Sequence, residues 1–320
     1  MSNSSEVIAV PTEQRAVEDD YYTYVEGVGN IPRDIYKHVE SDPKGDLPRY
    51  SVHIVIQHLL VLFTFLVLVA TGVPLLFAES FWAQWVISHF GGADTARIVH
   101  RTAAFIMIFA CAYHVATIIF GTIRQMISGR FDYKRTMIPR LKDLLDIVHD
   151  VRYFLGLDPY RPKMEKFMYK QKLHYFAIIW GNCVLMIAGL ALLYPDTMAR
   201  IFPETLGRLL PQVIEKGVSF PALFQEFARL MHADEAVMAL IVVAFWHWSN
   251  VHFVPGRFPL QWAFLTGQIT REHQIEEHFL EYINNLKEIP EEREYMKKLL
   301  EEKGLETFPK VFDSELPEIH

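Results

Sequence analysis

The chain has 320 residues, of which 51% are hydrophobic and 22% charged, with a formal net charge of −7. It is too apolar for an ordinary soluble domain, so its charges must be segregated from its apolar blocks. The negative charge, and the lack of a basic tract interleaved with aromatics, argue against nucleic acid as a partner.

The N-terminal stretch, residues 1–50, is polar and carries the acidic run Glu18, Asp19 and Asp20. It has no basic segment followed by a short apolar core, so no cleavable signal peptide is expected. Four uncharged stretches follow. No Asp, Glu, Lys or Arg lies between Arg49 and Glu79, Arg101 and Arg124, Lys172 and Asp196, or Glu235 and Arg257. Each exceeds the roughly 20 residues that cross hydrocarbon and none alternates with period two, which predicts helical spans. Their expected limits are about 53–77, 98–123, 173–194 and 235–254.

The link between the second and third spans holds 12 Lys and Arg from Arg124 to Lys172, while the other two links hold far fewer. By the positive-inside tendency this link and both termini are expected in the cytoplasm, in a multi-pass protein of a bacterial-type inner membrane. Beyond the last span, Glu291–Lys303 reads as a short surface helix ending near Gly304. The expected fold is all-α, a four-helix transmembrane bundle (51–256) with a polar N-terminal extension (1–50) and a charged C-terminal tail (257–320).

Histidines recur inside these apolar stretches: His58 in the first, His100 and His114 in the second, His232 and His247 in the fourth. An ionisable side chain in hydrocarbon needs compensation, and coordination of haem iron by a neutral imidazole supplies it. The 14 residues from His100 to His114 rise about 21 Å and return to within about 40° of the starting direction. The 15 residues from His232 to His247 do much the same, about 60° off. The second and fourth spans run the same way, which levels His100 with His232 and His114 with His247. His58, at the start of the antiparallel first span, also lies level with His247. The spacing therefore predicts two bis-histidine b-type haems, the outer one on His100 and His232, the inner on His247 with either His58 or His114.

The two cysteines, Cys111 and Cys183, lie inside spans, and there is no C-x-x-C-H or cysteine cluster, which excludes covalent haem and iron–sulfur ligation by this chain. Arg101 at the membrane edge and His252 beyond His247 are candidates for haem propionates, His252 also for a quinone. Lys170, Gln171, Lys172 and His174 cluster at the start of the third span as a candidate quinone site. Asp234 and Glu235 read as first-turn acids favoured by the helix dipole. His38, His53, His89, His149, His273, His278 and His320 are expected to be non-ligands.

Four segments carry a family resemblance: RYSVHIVIQHLLVLFTFLVLVATGVPLLF from Arg49, RIVHRTAAF from Arg97, KQKLHYFAIIWG from Lys170 and MHADEAVMALIVVAFWHWSNVHF from Met231. Over residues 49–282 the chain resembles the di-haem cytochrome b subunit of formate dehydrogenases and the related nickel–iron hydrogenase and thiosulfate reductase cytochromes. His58 followed by Thr71-Gly72, and the R-I-x-H start of the second span, are typical of that family. The resemblance implies His58 and His247 on the cytoplasmic-side haem, His100 and His232 on the outer haem, and a quinone site beside the inner haem. His114 departs from the formate dehydrogenase pattern and fits the spacing of respiratory cytochrome b.

The function these readings imply is electron transfer through two haems b between a partner redox protein and the quinone pool, menaquinone or ubiquinone. Such a partner would carry iron–sulfur, molybdenum, nickel–iron or multihaem centres. No motif for chemistry on another substrate is present. The alternatives are a stand-alone b561-like transmembrane haem reductase and a haem-free anchor or transporter.

Overall fold

The uncharged stretches form helices, in which backbone amides are satisfied within their own segment, as a chain crossing hydrocarbon would require. A computed structural model describes residues 22–25, 29–32, 35, 39, 46–159, 161–201, 220–253 and 258–304. The N-terminal acidic run, His38 and His320 lie outside them. The described residues are mostly helical. They divide into two compact units, one of residues 1–47, 133–169 and 269–320, the other of 48–132 and 170–268.

The second unit contains α1 (Val52–Leu76), α2 (Phe81–His89), α3 (Ala93–Ile127), α5 (Tyr169–Leu193), α6 (Pro195–Ile201) and α7 (Phe220–Ile241). Helix α7 continues through a π-helical turn, Val242–His247, into α8 (Trp248–His252), and a short α9 (Ala263–Thr266) follows. Helices α1, α3 and α5 are long and apolar enough to cross a membrane. Large side chains such as Phe63, Phe109, Phe120 and Trp180 face outward. Most of the buried positions hold small or polar residues, among them Ala103, Ala110, Ala188 and Ala191, which let backbones approach closely.

Helices α1 and α3 run antiparallel along a polar seam with a seven-residue step. Thr71 meets His100 at 2.9 Å, Thr64 meets the Met107 sulfur at 3.5 Å, and Gln57 meets His114 at 2.8 Å. This is the 3.5-residue period of left-handed helix packing, written in hydrogen-bonding residues. After α9 the chain turns at Gly267, whose φ of 74° and whose closeness to the Tyr50 carbonyl both exclude a side chain. Its own carbonyl accepts from the Arg49 and Tyr50 amides, each at 2.8 Å.

The first unit gathers an N-terminal hairpin, β1 (Tyr22–Val25) antiparallel to β2 (Gly29–Pro32), with α4 (Leu141–Phe154), α10 (Arg271–Glu277), α11 (Phe279–Glu288) and α12 (Pro290–Lys303). Its core includes Ile275, Phe279, Tyr282, Leu286, Met296 and Leu300. Helix α12 begins with Pro290 in its first turn and stops at left-handed Gly304, as its sequence predicts. It is half core rather than a fully solvated rod. Buried Glu292 takes a two-pronged ion pair from Arg271 at 2.5 and 2.8 Å and a hydrogen bond from the Tyr282 hydroxyl at 2.7 Å.

Candidate histidine centres in the helical unit

The structure brings four of the predicted histidines together in two pairs. The ring centres of His100 and His232 are 6.3 Å apart, and those of His58 and His247 are 6.5 Å apart. A metal–imidazole bond is about 2 Å, and a ring nitrogen lies about 1 Å from its ring centre, so one iron shared by two rings sets the centres about 6 Å apart. Both pairs fit that separation. His174 also lies against His247, but its ring is stacked at 4.9 Å and nearly parallel, so it is a neighbour of that ring and does not oppose it.

Hydrogen bonds fix the tautomers of the outer pair. The Thr71 hydroxyl donates to the Val67 carbonyl at 2.7 Å, so it must accept from His100 Nδ1–H at 2.9 Å. His232 Nδ1 faces the Leu185 carbonyl at 3.1 Å, which only accepts. Each ring therefore carries its proton on Nδ1 and presents the Nε2 lone pair, the state an axial ligand requires. Two glycines make room for these rings. A Cβ on Gly72 would stand 2.9 Å from His100 Cε1, and one on Gly189 would stand 3.2 Å from His232 Cε1.

His114 is not paired with another histidine. Its Nδ1–H donates to Gln57 Oε1 and its Nε2 accepts from the Tyr175 hydroxyl, both at 2.8 Å. Gln57 in turn donates to Thr117 at 2.9 Å, and Thr117 to the His114 carbonyl at 2.8 Å. The network joins α1, α3 and α5 and uses both imidazole nitrogens. Gln57, Tyr175 and Thr117 were missed by sequence reasoning, because each is an ordinary polar residue until its partner is known.

The π turn ends at His247. A π turn inserts one residue, so the interval from His232 acts as 14 helical steps, and His247 falls about 40° from His232 on the opposite side from the predicted 60°. Around this pair, Phe264 lies 5.7 Å from the His58 ring and 5.8 Å from the His252 ring. The Gln261 amide donates to His252 Nδ1 at 3.1 Å, which puts the proton of neutral His252 on Nε2 as a donor.

Of the other predicted residues, Lys172 is buried, Lys170, Gln171 and His174 are partly buried, and Arg101 is exposed on α3. Asp234 and Glu235 are not first-turn acids. Their helix begins at Phe220, which sets both in its interior, with Glu235 buried and a carboxylate oxygen 2.5 Å from where a Cβ on Gly181 would be. The earlier charges Glu226 and Arg229, paired with each other, hid that start.

His53 is bonded to the Tyr113 hydroxyl at 2.8 Å and His89 to the Trp85 carbonyl at 2.7 Å. In the other unit, ligand atoms of His273, Glu277 and His278 lie within 4.8 Å of one another. No family model and no curated protein matches the chain.

Proposed function

We propose that the chain is a membrane cytochrome b, a four-helix transmembrane bundle that carries electrons through two b-type haems between a partner redox protein and the quinone pool. The observation that carries this reading is the two pairs of imidazoles with ring centres 6.3 and 6.5 Å apart, each separation suited to one iron. His100 and His232 would hold one haem, His58 and His247 the other. The haems supply one-electron couples, and the chain contributes ligation, burial and spacing. The interval from His232 to His247 separates the two centres by about 21 Å along the helix.

Helix α7 with its π turn and α8 is the fourth span in this reading. Its two histidines face partners within the unit: His232 the Leu185 carbonyl, His247 the ring of His174. His58 is preferred to His114 as the inner ligand because the His114 ring already spends both nitrogens on Gln57 and Tyr175. His174 beside His247, and His252 with its Nε2–H, offer donors to a quinone carbonyl next to the inner pair, with Lys170, Gln171 and buried Lys172 at the same helix start. The basic link from Arg124 to Lys172 supports a cytoplasmic location for that end of the bundle.

Reduced-minus-oxidised spectra and haem content of the purified protein test this reading. Two haems per chain are expected, falling to one in His58→Ala or His247→Ala and staying at two in His114→Ala. A protein without a b-type band would sink the proposal. Co-purifying iron–sulfur, molybdenum, nickel–iron or multihaem subunits mark the partner-linked form, and their absence from an active reductase marks the stand-alone b561-like one.

A further inference from the structure

Helix α4 is amphipathic with its faces reversed. Asp143, Asp146 and Asp150 point into the unit and are buried, Asp150 to 1% exposure, while Leu141, Leu144, Leu145, Val148, Val151 and Leu155 form a stripe on the outside. Leu141 is 73% exposed and Leu155 69%. The stripe follows the helical repeat, so it is one continuous face. The inward acids are satisfied: Asp150 by Arg161 at 2.9 and 3.1 Å and by Tyr169 at 2.7 Å, Asp146 by Lys142, and Asp143 by the Arg140 amide. Burial raises the Asp146 carboxyl above its ordinary range, Lys142 opposing. Turning carboxylates in and leucines out costs stability in water, and the arrangement makes sense only if something apolar covers the stripe.

Two observations identify the cover. The segment is tethered at both ends by membrane-length helices, Ala93–Ile127 before it and Tyr169–Leu193 after it. From Arg124 to Leu157 no Asp or Glu is exposed, whereas Arg124, Arg130 and Lys134 are, as is Arg152, whose guanidinium is held by Asp158 at 2.7 and 2.9 Å. An outward surface of leucine and valine, edged only by exposed cations and held near a bilayer, has the chemistry of an interfacial helix on anionic lipid. We propose that α4 lies in the surface of the bilayer, its Leu141–Leu155 stripe among the acyl chains and its flanking cations on anionic headgroups. The proposal needs the membrane-length helices and not the haems.

The test uses the full-length protein with Cys111→Ser and Cys183→Ser, carrying a single environment-sensitive fluorophore at Val148→Cys, Leu145→Cys or, as control, Lys298→Cys. The protein is reconstituted in vesicles of phosphatidylcholine with phosphatidylglycerol, with or without a nitroxide at a shallow acyl position. Blue-shifted emission quenched about twofold by the nitroxide is expected at Val148 and Leu145, with neither change at Lys298. Water-like, unquenched emission at both stripe positions would overturn the proposal. So would blue-shifted emission that the nitroxide leaves untouched, because that is the signature of a protein cover. Two stripe positions guard against one label disturbing the helix, and retention of a monodisperse peak confirms folding.

Discussion

Thr71 and Gly72 act on one side chain from two directions. The hydroxyl of Thr71 accepts the Nδ1 proton of His100, and the missing side chain of Gly72 admits the same ring. Thr71→Val keeps the shape and removes the acceptor, so the imidazole becomes less basic and stabilises ferric iron less. Affinity for the proposed outer haem is expected to fall about 10–100-fold and its midpoint potential to rise, read by spectroelectrochemical titration. An unchanged potential would show that the bond has no influence on a ligand. Gly72→Ala should act through space instead. A methyl 2.9 Å from His100 Cε1 forces the ring away, so outer-haem occupancy falls while the inner band is kept. Gly189→Ala, with its contact at 3.2 Å, should do the same more mildly, and equal effects of the two would argue against the steric account.

At the scale of elements, the first three of the four expected spans were legible as membrane-length helices, because uncharged runs longer than a bilayer is thick have few alternatives to a helix. Helical rise, which converts sequence spacing into depth, made the outer histidine pair legible and left His58 and His114 both open as the partner of His247. Three features were not legible. His114 has the spacing of a ligand because the α1–α3 seam steps by seven residues, and two such steps from His100 also make fourteen. Helix α7 starts at Phe220 rather than near Asp234, because the pairing of Glu226 with Arg229 is invisible until the helix is formed. The π turn adds one residue whose location no hydrophobic pattern records. That turn makes a prediction of its own. Deleting Ala244 should convert it to regular α-helix with the register of His247 preserved, so the inner haem is retained. Inserting an alanine there should swing His247 by about 100° and abolish the inner haem. Haem content of the two variants decides the matter, and loss on deletion with retention on insertion would refute the bulge account.

The molecule as a whole places its histidine pairs and its buried ion-pair cluster in two different units that are interleaved in sequence. His58, His100, His232 and His247 all belong to residues 48–132 and 170–268. The Arg271–Glu292–Tyr282 cluster and its surrounding core belong wholly to the other unit, which draws on three distant stretches of chain. Sequence reading gave no sign of this assembly, since contacts between segments more than a hundred residues apart leave no local period. The separation predicts that damage to the first unit spares the proposed haem sites. In Glu292→Ala the Arg271 guanidinium, 11% exposed, loses the carboxylate it meets at two points, and Tyr282 loses its acceptor. Removing one partner of a buried pair costs about 3–5 kcal/mol, enough to unfold a marginal domain. Limited proteolysis should then cut within residues 269–304 at far lower protease concentration, while the reduced spectrum keeps both b-type bands. Simultaneous loss of the bands would mean that the helical unit depends on the other for its fold, and the division of labour would have to be abandoned.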